Sequence, residues 1–246
     1  MQILLSCSKT MAAQPLAAPV EATSPRFKAE AEAAARQLQA LDSGRIASLL
    51  KVKPPQAARV WSAYQALTAA ETPEAPALAA YTGVAFRHLD PATLTAGDWR
   101  FARHHLFITS FLYGLLRPTD LIRPYRLEGN VRLPQPDGPT RFDHWKSLLT
   151  DYLIETVKAD DGVLYNLASA EMKRLFCWKR VEQTLTVVTP DFKVVSGERE
   201  QSVTVYAKMC RGLAARHLIR RRATGPEGLA DFLPDVHEQP IVMSFR

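Results

Sequence analysis

Segment 107–134, FITSFLYGLLRPTDLIRPYRLEGNVRLP, constrains this chain more than any other part of it. An apolar run leads into a Tyr113-Gly114 break. Beyond it, Arg117, Arg123 and Arg126 are interleaved with Pro118, Pro124, Asp120 and Glu128. A surface loop has no use for so many apolar residues, and a core element does not carry three guanidinium groups. The combination predicts an apolar anchor that holds guanidiniums in fixed positions, facing something anionic.

The rest of the composition sets what such an anchor can belong to. A chain of 246 residues, 47% hydrophobic, can bury a sizeable core as one large domain, and 17 prolines against 11 glycines suggest many rigid turns. The formal charge of +6 is a moderate basic excess, compatible with nucleic acid, with phosphorylated ligands or with a merely solvated cationic surface. Cys7, Cys177 and Cys210 are odd in number, far apart and free of any C-x-x-C spacing. That argues against a disulfide framework or a zinc site and fits a reducing cytoplasm. The Leu4-Leu5-Ser6-Cys7 string is too near the N-terminus to follow a signal's charged and apolar regions. No apolar run approaches bilayer length, so no membrane partner is expected.

Periodicity predicts one α/β domain over residues 1–246, a mixed central sheet surrounded by helices. Strands are expected over 2–6, 163–168, 185–188, 192–195 and 202–207, the last two pairing as a hairpin across Ser196-Gly197. Helices are expected from Ser24-Pro25 to Leu41, over 46–50 behind Asp42 or Ser43, from Pro54-Pro55 onwards, up to His105 behind Thr95 or Asp98, and over 142–157. Ser169 reads as a cap, 208–222 as a strongly basic helix and 226–232 as a short final one.

Ser8-Lys9-Thr10 follows the first strand without the glycine-rich stretch of a P-loop. Lys9 is then either a cleft residue at a strand end or a solvated lysine. On the basic helix, Lys208, Arg211 and Arg222 share a narrow sector, whereas Arg216 lies beside Met209 and Leu213 and is either snorkelling or aimed into a cleft. The six histidines show no metal spacing, and no Ser/His/Asp or Cys/His set can be named. Neither a cofactor nor a metal is expected, and the catalytic residues, if any, are unknown. Cys7 reads as a small buried hydrophobe, and Trp61, Trp99, Trp145 and Trp178 as core.

In order along the chain, ILLSCSKTM, Tyr81-Thr82-Gly83, the long block from Leu112 to Glu128, Asn166-Leu167-Ala168-Ser169, Tyr206-Ala207-Lys208 and Arg211-Gly212 resemble the YaaA peroxide-stress-resistance proteins. Cys7-Ser8 stands where many members have Pro-Ala, Glu171-Met172-Lys173-Arg174 departs from their Glu-Tyr-Phe-Lys, and the tail after Phe232 looks short or divergent. The resemblance implies a positively charged cleft, a helix-hairpin-helix-like element over residues 113–120, and protection against hydrogen peroxide by limiting free iron and DNA damage. A hairpin of that kind offers backbone N–H groups to phosphate.

The expectation is therefore a monomer that binds duplex or structured DNA with little sequence preference. Its phosphate contacts would be Lys9, Arg117, Arg123, Arg126, Lys208, Arg211 and Arg216, with Tyr113 and Gly114 in the hairpin. The rival is an enzyme whose cationic cleft holds a small phosphorylated or carboxylated substrate, with Lys9 as base or nucleophile and Arg126 or Arg211 as the anion clamp. Both require Lys9, Arg126, Lys208 and Arg211 to converge, with Asp120 and Glu128 neutralising neighbouring arginines.

Overall fold

The strand nearest the N-terminus, β1 (Gln2–Leu5), is buried at every position. A strand buried on both faces, apolar after Gln2, belongs in the middle of a parallel sheet, and that is where the computed structural model puts it. The structure describes residues 1–12, 16–134, 138–196, 199–236 and 240–245. After β1 come helices α1 (Lys28–Gln39), α2 (Ser43–Leu50) and α3 (Pro54–Ala66). Next are β2 (Ala75–Pro76), α4 (Ala77–Ala80), α5 (Val84–Leu89), α6 (Ala96–His105), β3 (Leu106–Ser110), β4 (Gly114–Leu116) and β5 (Leu121–Ile122). The chain continues through α7 (Arg141–Ala159), β6 (Val163–Leu167), α8 (Ala170–Lys173), α9 (Trp178–Thr184) and β7 (Thr186–Val188). Last are β8 (Pro190–Ser196), β9 (Arg199–Gln201), α10 (Thr204–Arg221) and β10 (Ile241–Phe245).

The central sheet has the order β4-β3-β1-β6-β7. β3, β1, β6 and β7 run parallel, and β4 folds back antiparallel on β3. The sheet is thus mixed, as expected, with helices packed around it. β10-β8-β9 form a small antiparallel sheet, and β2 pairs with β5. Local chemistry explains the helix starts. Asp42 accepts from the Arg45 N–H, and Thr95 and Asp98 make a reciprocal capping box. Thr140 caps α7 and Ser169 caps α8.

Four expectations need correction. The helix-hairpin-helix placed at residues 113–120 is not found. Leu106–Ser110 and Gly114–Leu116 are antiparallel strands, and Gly114 (φ 75°) makes the tight turn between them. A β-carbon on Gly114 would also press within 2.9 Å of the Trp145 ring. Residues 204–207 begin α10 rather than forming a strand. β8 does turn back antiparallel, onto Arg199–Gln201, with Val195 opposite Glu200; Gly197 lies outside the described residues. Residues 226–232 form turns, not a helix, and the tail supplies β10, which pairs along β8 from Ile241 opposite Val194 to Phe245 opposite Pro190. Of the tryptophans, Trp99 and Trp145 are core, while Trp61 is 42% exposed.

Candidate functional site

At the carboxyl ends of the parallel strands the chain leaves a cavity of about 400 Å³. Its walls include residues 5–10 beyond β1, Phe111 beyond β3, and Leu167 and Ser169 at the end of β6. This is where α/β sheets place ligands, because the strands stop and the chain diverges into loops. Into it come Lys9, Arg87, Arg126, Lys208 and Arg211, with Glu171 as the carboxylate on the wall.

Short-range bonds fix the Lys9 loop. The Ser8 hydroxyl accepts from the Thr10 N–H at 3.1 Å, and the Thr10 carbonyl accepts from the Thr82 N–H at 3.0 Å. Gly83 lies so close that a β-carbon there would sit 2.3 Å from Ser8 Oγ. Ser6 Oγ accepts from the Ser169 N–H at 2.9 Å, which ties the end of β1 to the end of β6. Lys9 Nζ is 2.7 Å from Glu128, and its side chain is 57% exposed, so it stands at the mouth of the cavity. Arg126 is held from two sides. The Tyr64 hydroxyl donates to its carbonyl, and its Nη2 reaches Glu128 at 3.3 Å. Its Nε is buried without a hydrogen-bond partner.

Helix α10 brings Lys208 and Arg211 from nearly two hundred residues downstream of Lys9. It can do so because Gly212 lets it lie against α5. A β-carbon at Gly212 would meet the Ala85 carbonyl oxygen at 2.1 Å. Burial lowers the Arg211 pKa, and the Asp191 charge opposes that. Beneath the cavity, the Tyr125 hydroxyl bonds Tyr81 at 2.8 Å and Ser110 at 2.7 Å. Burial holds both phenols well above their ordinary pKa. Burial likewise pushes the Cys7 thiol up to about 12, against the Thr109 hydrogen bond and with help from the Glu171 charge.

The expected set therefore divides. Lys9, Arg126, Lys208 and Arg211 converge on this cavity. Arg117 lies at the opposite, amino end of the sheet, stacked 3.6 Å from the Phe107 ring centre and donating to Gln2, His104 and Leu106. Arg123 donates to the Leu67 carbonyl at 2.6 Å and pairs with Glu74 at 3.5 Å. Tyr113 is buried, its hydroxyl accepting from the Arg123 N–H. Arg216 donates to the carbonyls of Leu89 and Asp90 and so caps the end of α5. Of the two expected neutralising carboxylates, Glu128 binds Arg126 and Lys9. Asp120 instead accepts from the Arg117 backbone N–H and the Thr23 hydroxyl.

Sequence reading passed over Arg87 and Glu171. Arg87 had a signal in hindsight, since it sits one helical turn after Gly83. Among the described residues no cluster of three or more His, Cys, Asp or Glu side chains could hold a metal ion, and no helix is long and apolar enough to cross a membrane.

A family model described as peroxide stress protein YaaA matches residues 1–238. The chain belongs to that family. A UPF0246 protein of Bacteroides thetaiotaomicron is 46% identical over 232 residues, 94% of this chain and 90% of its own length. One from Porphyromonas gingivalis is 44% identical over 237 residues, 96% and 93% of the two chains. One from Aromatoleum aromaticum is 36% identical over 218 residues, 86% and 83%. The chain thus shares nearly its full length with other members of the YaaA family.

Proposed function

We propose that this YaaA-family chain serves in peroxide stress by binding duplex or structured DNA, with little sequence preference, through the cavity at the carboxyl edge of the sheet. What supports this reading is one observation: Lys9, Arg126, Lys208 and Arg211, scattered along the chain, meet there with Arg87. Cations gathered by folding, beside only a few carboxylates, suit a polyanion whose phosphates carry affinity without sequence information. A link to intracellular iron rests on the resemblance alone.

A fluorescence-anisotropy titration of a short duplex at two salt concentrations tests the reading. Four phosphate contacts give a log–log salt slope of about −3.6, at −0.9 each. Arg211→Glu is expected to abolish binding, and Glu128→Gln, which removes the anion already on Lys9 and Arg126, to tighten it. A flat salt dependence, or no binding at low salt, rules the reading out.

The concavity of the site favours a second reading, a small phosphorylated or carboxylated ligand. A space of about 400 Å³ falls in the range of small-molecule sites, ~300–1,000 Å³. Lys9 then serves as an anion contact at the mouth rather than as a buried base, because it is exposed and tied to Glu128. Saturable binding of a nucleoside monophosphate with no affinity for duplex selects this reading.

A further inference from the structure

Away from that site, α1, the first turn of α7, and Leu133, Gly138 and Pro139 line a second space of about 240 Å³. α1 contributes Glu30, Ala33, Ala34 and Gln37, whose spacing puts them on one face, and α7 contributes Arg141 and His144. Arg141 is only 3% exposed. Its Nε donates to the Phe111 carbonyl at 3.0 Å, and its guanidinium lies 5.0 Å from the centre of the Trp145 ring. Its Nη2, however, is buried with no hydrogen-bond partner. Gln37 Oε1 and His144 Nε2 are in the same condition, so three of the six such atoms among the described residues belong to side chains on this one cavity.

A buried guanidinium normally has a counter-anion, because desolvation without one is costly. For Arg141 desolvation stands alone, and it lowers the pKa to about 10. Burial and then the Arg141 charge lower the His144 pKa and so disfavour a second positive charge, with Glu30 opposing. The two helical walls differ in character, and Leu133, Gly138 and Pro139 add no charged side chain. The α7 wall offers a cation, whereas the α1 wall offers the Glu30 carboxylate and the Gln37 carbonyl, both acceptors. Glu30 disfavours a simple anion here, and Arg141 disfavours a simple cation. The alanines between Glu30 and Gln37 leave the floor open, and the space is smaller than the pockets that hold drug-sized ligands.

We propose that this cavity binds a small zwitterion of the α-amino-acid type, its carboxylate on Arg141 and its ammonium on Glu30 and Gln37. Calorimetric titration of the full chain with glycine, L-alanine and L-serine tests this, alongside acetate, methylammonium and inorganic phosphate. At least one zwitterion is expected to bind saturably, and the three probes that carry charge of one sign at least about tenfold more weakly, since each leaves one wall unpartnered. Arg141 also anchors the Phe111 carbonyl, so its replacement would test folding as much as binding. Glu30→Gln and Gln37→Ala avoid this. Each is expected to weaken the zwitterion about tenfold while leaving thermal unfolding and DNA affinity unchanged. The proposal fails if no zwitterion binds, if acetate or phosphate binds as tightly as the zwitterions, or if neither α1 variant weakens binding.

Discussion

Cys7 stands on the wall of the cation-lined cavity with its thiol pushed up to about 12. The thiolate is the form that attacks peroxide, and a thiol raised in this way is very little ionised at pH 7. Cys177 is exposed. Brief hydrogen peroxide treatment followed by mass spectrometry is therefore expected to find Cys177 oxidised while Cys7 stays reduced. Cys7 is itself half-buried rather than fully buried, and equal rates at the two would mean that its raised pKa does not protect it. The arginines were harder to read from sequence than the cysteines. Arg117, Arg123 and Arg216 look as available as Arg126 and Arg211 along the chain, and Arg123 and Arg126 are three residues apart. What separates them is the presence of backbone carbonyls within reach of their guanidinium groups. Arg117 finds those of His104 and Leu106, Arg123 that of Leu67, and Arg216 those of Leu89 and Asp90. Those carbonyls come from elements remote in sequence, so no local pattern announces them.

Between elements, the close approach of α10 and α5 at Gly212 deserves its own test. Gly212→Ala would drive a methyl group into the Ala85 carbonyl, and overpacking of this kind costs about 1–3 kcal/mol. The helix must shift to relieve it, and Lys208 and Arg211 ride on that helix. The variant is expected to lower the unfolding midpoint and to weaken DNA binding together. Unchanged DNA affinity in a destabilised variant would separate the helix position from the site. The legible elements were those with their own start signals. Asp42, Thr95 and Ser169 cap where their sequences say they should. Residues 202–207 misled because Val203, Thr204, Val205 and Tyr206 favour a strand locally. Tertiary packing overrides that preference, since Cys210, Ala214, Leu218 and Ile219 on the same helix are buried in the core. The hairpin at residues 113–120 misled for the opposite reason. Gly114 does make a tight turn there, but between strands rather than helices.

Over the whole molecule, the convergence of Lys9 with Lys208 and Arg211 was expected from two parallel strands, yet only one of those strands exists. α10 reaches the cavity by packing across α5, and no sequence pattern contains that docking. The parallel strands β1 and β6 were legible, because Ile3–Leu5 are apolar and β6 is interrupted only by Asn166, whereas β3 and β4 lie in the stretch that read as an apolar run and a helical hairpin. The place of β1 in that sheet has a consequence for biosynthesis. Its two partners are β3, which pairs Leu5 with Ile108, and β6, which pairs Leu5 with Leu167. A ribosome adding ~5–20 residues per second reaches Leu167 roughly ten to thirty seconds after Leu5. Through that interval the first strand has no completed sheet to enter, so it is expected to stay accessible until β6 emerges. Ribosome-bound chains stalled with residue 155 just outside the exit tunnel are expected to be cleaved readily by protease near β1. Chains stalled with residue 200 outside are expected to resist, and equal sensitivity of the two would show that β1 is sheltered before β6 arrives.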